Sequence, residues 1–224
     1  MRQNSMPTLR SGWRVLLLAI ALGFGLPAPY VAADAASPAA GAVVAAQDAL
    51  AGSALLAALR KGGYVLYLRH ASTDFGQNDE AMTSFDDCSS QRNLTDQGRA
   101  EARAIGVAVT ALHIPADPVL ASPFCRTLET ARLVFGDARA TTDVRGGPAR
   151  PDDPDRYAPL RRLLSTPVPP GHNLVIVSHG NPFAAVAGTP YLAEGEMAVV
   201  APEGDGKFRI VARIRKDEWG ALLQ

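Results

Sequence analysis

The chain reads as an α/β protein whose mostly parallel sheet is flanked by helices. Residues 64–68 and 174–178 are short, β-rich apolar runs of the length and continuous hydrophobicity expected of strands buried on both faces. The segments between strand-like runs carry apolar residues at helical spacing, and alternating strands and helices predict a helix-covered parallel sheet. Both runs lead into a histidine, His70 and His179, at the C-terminal strand ends where open α/β sheets form their ligand crevice.

Residues 1–14 contain Arg2, Arg10 and Arg14 and no acid, and residues 15–26 are apolar. Val31-Ala32-Ala33-Asp34-Ala35 then offers small residues at the −3 and −1 positions of a cleavage site. This order is that of a secretory signal over residues 1–33. An uncleaved anchor is the alternative, but the apolar run is shorter than the roughly 20 residues of a spanning helix. No membrane span is therefore expected after signal removal, and a periplasmic or secreted location follows. Residues 34–46 read as an Ala-rich linker and residues 47–224 as one domain. Removing residues 1–33 takes three arginines from 22 basic residues and none from 22 acidic ones, leaving a net charge near −3. That balance excludes an ordinary nucleic-acid binder, which carries a basic excess.

A helix is expected over residues 48–60, with Leu50, Leu55, Leu56 and Leu59 inward and Gly62-Gly63 ending it. The first strand follows. Residues 71–93 are polar and aperiodic, the composition of a functional loop. Thr95 caps a helix through Ala111 with Ala102, Ile105, Val109 and Leu112 inward, and residues 119–121 form a second strand. A helix over 126–135 closes at Gly136, residues 137–154 read as irregular, and a helix over 155–164 precedes the strand at 173–178. Residues 196–201 and 207–215 pair around Glu203-Gly204-Asp205-Gly206. Cys88 and Cys125 have no metal-ligand spacing; on an exported chain they read as a disulfide, with two separate buried thiols as the alternative.

An arginine beside a strand-end histidine, facing a second such histidine, suits an anionic substrate and covalent or acid–base chemistry. Leu68-Arg69-His70-Ala71-Ser72-Thr73 resembles the Arg-His-Gly-x-Ser/Thr signature of the histidine phosphatase superfamily. Three further segments match in the family's order. Asn93-Leu94-Thr95-Asp96-Gln97-Gly98 resembles the opening of its first long helix. The run from Ala121-Ser122-Pro123 through Arg126 to Ala131 resembles the segment with the second phosphate-binding arginine, and Val177-Ser178-His179-Gly180 the segment with the second histidine.

The resemblance implies the three-layer helix–sheet–helix fold of the phosphoglycerate mutases and a phosphomonoester hydrolase without cofactor or metal. His70 would be the covalent nucleophile. Arg69, Arg126 and His179 would surround the phosphoryl group, with the Thr73 hydroxyl as a further donor or an ordinary loop partner. Arginine suits that task because its planar fork matches phosphate oxygens. Ala71 replaces the family's glycine, a change tolerated where the backbone needs no positive φ. The proton donor to the leaving alcohol carries no motif here. Glu194 ranks first among carboxylates that also include Glu196, Asp74, Asp137, Asp143, Asp152, Asp153 and Asp155. His113 and His172 read as structural, and Arg92, Arg99 and Arg103 as surface charges, with Arg92 reaching the site as an alternative. The partner expected is a small phosphomonoester, with an envelope phosphate as the compartment's offer. The alternatives are a phosphate- or sugar-phosphate-binding protein with little turnover and a phosphohistidine-directed protein phosphatase.

Overall fold

The computed structural model describes residues 49–147 and 155–223. The proposed signal at 1–33, the linker at 34–46, and Asp152 and Asp153 lie outside the described residues. Six strands form one sheet in the order β3-β2-β4-β1-β5-β6. The central strands β1 (Val65–Arg69) and β4 (Leu174–Ser178) are parallel, as are β2 (Val119–Ala121) with β4 and β3 (Arg139–Ala140) with β2. The hairpin β5 (Met197–Gly204) and β6 (Lys207–Ile214) adds two antiparallel strands at the opposite edge. Its turn residues Asp205 and Gly206 both have positive φ, 49° and 76°, which matches the right-handed strand twist.

The period-2 alternation of the strands produces the three layers. Leu66, Leu68, Val175, Val177 and Val199 pack with α1 (Gly52–Lys61), α2 (Asp96–Ala111) and α3 (Cys125–Phe135). Val65, Tyr67, Ile176, Ala198 and Val200 face the other way, toward α4 (Ala158–Ser165) and α5 (Gly180–Ala187). The expected α/β architecture is the one observed.

Local departures have physical causes. Helix α1 begins at Gly52 because the Leu50 N–H is already bonded to the Val211 carbonyl on β6, at 2.8 Å. It ends at Gly62, whose φ of 77° and approach of a would-be Cβ to 2.6 Å of His172 backbone require glycine. The stretch expected to be irregular contains β3 and a 3₁₀ turn at Thr142–Val144, too short for any periodic signal. Helix α5 was absent from the sequence expectation. It is eight residues long, with Pro182 in its first turn and Gly188 as its C-cap.

Candidate active site

In β1 and β4, Arg69 stands opposite Ser178, so the residues that follow, His70 and His179, leave the sheet side by side. The His70 N–H bonds the Ser178 carbonyl at 2.9 Å, and the two rings meet edge to face with centroids 5.5 Å apart. The third strand contributes Ser122, whose N–H bonds the Val177 carbonyl at 3.0 Å and whose hydroxyl is 2.8 Å from His179 Nε2. All three side chains are buried.

His70 Nδ1 lies 2.9 Å from the Ala71 carbonyl oxygen. A carbonyl only accepts, so Nδ1 carries the hydrogen and Nε2 keeps its lone pair. Burial lowers the His70 pKa to about 3; the Ala71 bond, next in size, pulls it up, and the positive charges of Arg126, Arg69 and Arg92 add to the lowering. His179 is pushed well below its ordinary value by burial and by the same neighbours. Both rings are therefore neutral near pH 7. Tyr67 donates its hydroxyl hydrogen to the His179 carbonyl at 2.7 Å, which fixes the start of α5.

Arg126 is the second residue of α3, and a threonine links it to the residue after His70. Thr130 Oγ1 accepts the Ala71 N–H at 3.1 Å and donates to the Arg126 carbonyl at 2.7 Å. The Arg126 guanidinium lies 4.5 Å from the Phe124 ring centroid and grips Asp79 with two nitrogens, at 2.9 and 3.0 Å. A carboxylate held by such a fork has the geometry a phosphate would take there. Arg69 bonds the Leu192 carbonyl at 2.7 Å, and its other terminal nitrogen is 3.5 Å from Glu194. Its guanidinium lies 5.3 Å from the Tyr191 ring centroid. That ring packs so closely on the residue after His179 that a Cβ at Gly180 would meet it at 2.1 Å.

Glu194 joins the cluster. Its oxygens accept the Thr73 hydroxyl at 2.7 Å and the Thr73 N–H at 3.2 Å, and Oε1 is 3.9 Å from His70 Nδ1. It thus approaches the nitrogen already bonded to Ala71. Glu196 is bonded to Arg213 at 2.8 Å, and Asp74 accepts the Gly76 N–H in a local turn. Thr73 is buried, with its hydroxyl on Glu194.

The loop over 74–93 closes at an isolated bridge between Thr73 and Leu94. Cys88 is disulfide-bonded to Cys125, the residue before Arg126, with the two Cα atoms 5.7 Å apart. Buried Gln91 makes a second tie, donating to the Phe85 carbonyl at 3.0 Å and accepting the Cys125 N–H at 2.9 Å. This loop delivers to the site Asp79, which the sequence did not assign, and Arg92, for which the sequence left a place in the site as the alternative. Arg92 is joined to the cluster through its backbone, bonded to Asp79 and Arg126, whereas Arg99 pairs with Glu129 at 2.6 Å and Arg103 is exposed. His113 and His172 lie away from the site, at the end of α2 and in the turn before β4. Among the described residues, no helix is long and apolar enough to cross a membrane.

Residues 65–146 match the model of the histidine phosphatase superfamily, branch 1. No curated protein matches the chain. Among solved structures, the chain is similar to the protein histidine phosphatase SixA complexed with tungstate, at 19% identity and a TM-score of 0.47, covering 69% of this chain and 97% of that one. It is similar to mycobacterial glucosyl-3-phosphoglycerate phosphatase complexed with VO3, at 17% identity and a TM-score of 0.47, covering 66% and 97%. Likeness to Bacillus stearothermophilus YhfR is 17% identity and a TM-score of 0.43, covering 66% and 94%. Likeness at that level adds nothing to the reading of the site. The match over 65–146 takes in β1, α2, β2 and α3, the elements that carry Arg69, His70 and Arg126, and over these residues the chain is similar to the histidine phosphatase superfamily.

Proposed function

We propose that the chain hydrolyses phosphomonoesters through a phosphohistidine on His70. The observation that carries this reading is the bond from His70 Nδ1–H to the Ala71 carbonyl, which leaves Nε2 unprotonated in a pocket with two arginines. A phosphomonoester dianion takes the forks of Arg69 and Arg126, exchanging with Asp79 on the latter. The Nε2 lone pair forms a bond to phosphorus while the phosphorus–oxygen bond of the ester breaks, and the leaving oxygen takes up a proton. Positioning and charge stabilisation account for most of such a step. Water then attacks phosphorus and releases inorganic phosphate, regenerating neutral His70. His179, aimed by Ser122, neighbours the transferred group.

A location outside the cytoplasm is part of the same proposal. The signal-like N-terminus supports it, as does a disulfide built into the site loop. A phosphorylated envelope component is the substrate class that location offers.

The test is to quench the wild-type protein during turnover of p-nitrophenyl phosphate and recover acid-labile phosphoryl label. His70→Ala should carry none and turn over nothing above background. Label on the His70→Ala protein, or no hydrolysis by wild type between pH 4 and 8, would overturn the proposal.

A further inference from the structure

Three arginines around this site, not two, have a buried Nε–H that finds no acceptor among the described residues: Arg69, Arg92 and Arg126. Arg69 has Glu194 beside it and Arg126 has Asp79, but Arg92 pairs with no carboxylate among the described residues. With both histidines neutral, three guanidinium groups against two carboxylates leave the cluster one positive charge in excess.

The backbone of Arg92 is fixed within the same unit. Its N–H donates to Asp79 Oδ1 at 2.9 Å, and its carbonyl accepts from Arg126 at 3.2 Å. Its guanidinium lies 4.9 Å from the ring centroid of Phe75, from the other end of the same loop. Phe75 is 72% exposed, so burial does not account for it, whereas a platform that orients a cation does. Arg92 also contributes to lowering the pKa values of His70, His179, Arg69 and Arg126.

We infer that Arg92 is a third anion-binding arginine of this pocket, held over Phe75 and aimed at the phosphoryl group that Arg69 and Arg126 also grip. This rests on the phosphatase reading for its ligand but not on turnover. The site is built to exchange carboxylate for phosphate: a dianion that displaces Asp79 from Arg126 meets a guanidinium with a free donor face on the same loop.

The experiment measures inorganic phosphate binding to the full-length chain by calorimetry, and by the rise of melting temperature with phosphate concentration. Arg92→Ala should weaken phosphate binding roughly 10- to 100-fold, the worth of a charge-assisted hydrogen bond. Arg92→Lys should recover only part, since it restores charge without the fork. Phe75→Ala should weaken binding several-fold through loss of the platform. Arg103→Ala, an exposed α2 arginine, should change nothing. Unchanged phosphate affinity in Arg92→Ala, or equal effects of Arg92→Ala and Arg103→Ala, would overturn the inference. If Arg92→Ala fails to fold, full wild-type affinity in Arg92→Lys together with Phe75→Ala does so instead. Lost affinity in Arg92→Ala with no turnover by wild type sinks the phosphatase reading and leaves Arg92's role standing. Wild-type turnover with unchanged affinity in Arg92→Ala does the reverse.

Discussion

At the scale of single residues, a carbonyl sets the tautomer of His70, the proposed nucleophile, and burial keeps the ring neutral. Holding His70 neutral in the fold while the unfolded chain protonates it near pH 6.5 has a thermodynamic consequence. Between about pH 6.5 and 3 the unfolded state binds more protons, so stability is complete above that window and falls as pH drops through it. The slope is at most about 1.4 kcal/mol per pH unit for each such histidine. The melting temperature should therefore decline on acidification below pH 6.5, and His70→Asn should flatten that decline; equal slopes in the two proteins would refute the assignment. Glu194 offers a second test. It approaches the Nδ1 side of His70 and holds Thr73, so its role is positioning. Glu194→Gln should slow aryl and alkyl esters alike, by on the order of tenfold. A loss confined to alkyl esters, whose leaving groups need protonation, would instead make it the proton donor.

At the scale of elements, the match around Leu94-Thr95-x-x-Gly98 acquires a cause. Thr95 caps α2 by accepting the Gly98 N–H at 2.9 Å, and its own N–H bonds the Ser72 carbonyl at 3.1 Å. The first turn of α2 thus lies against the backbone two residues after His70, so tightly that a Cβ on Gly98 would meet Ser72 O at 2.0 Å. Gly98→Ala must displace that segment. We expect about 1–3 kcal/mol of destabilisation from overpacking and on the order of a 10²-fold fall in kcat/KM from misplacement of His70. Thermal melts and steady-state kinetics read the two effects, and a variant with unchanged kcat/KM would show that the helix does not position the nucleophile. Legibility in the sequence followed the same division. Arg69, His70, Arg126 and His179 could be found because each sits at a strand end or helix start, where apolar runs and turns mark the chain. Ala71 behaved as its lack of need for positive φ implied. Asp79, Arg92 and Phe75 lie in a polar loop without periodicity, and three-dimensional closure brings them to the site. Ser122 stood inside a matched segment, but only the fold shows that it touches His179.

At the scale of the whole molecule, one covalent bond ties the aperiodic loop to the helix bearing Arg126. Cys88 and Cys125 are 37 residues apart, and closing a loop of that length stabilises a fold by about 2–4 kcal/mol. Replacing both with serine should lower stability by that amount and weaken inorganic phosphate binding, because hydrogen bonds, to Gln91 and from Arg126, must then hold the segment that carries Asp79 and Arg92 to α3. Protein recovered from its native host should show no free thiol and should begin after Ala33. A serine pair with wild-type stability and phosphate affinity would mean that the bond does not organise the site.

The spacing between the two histidines has a different origin from the rest of the pocket. They follow paired residues of adjacent parallel strands, so their separation derives from the distance of about 4.8 Å that peptide hydrogen bonds impose between neighbouring strands. Changes in core volume or in surface loops leave that distance alone. The segment over 74–93 and the residues around Tyr191 can then change without altering the spacing of the two histidines, provided the contacts they make with Arg126 and Arg69 are kept. A protein engineer could vary the remaining positions of those segments to change which ester is admitted, keeping the two histidines on a ruler made of backbone.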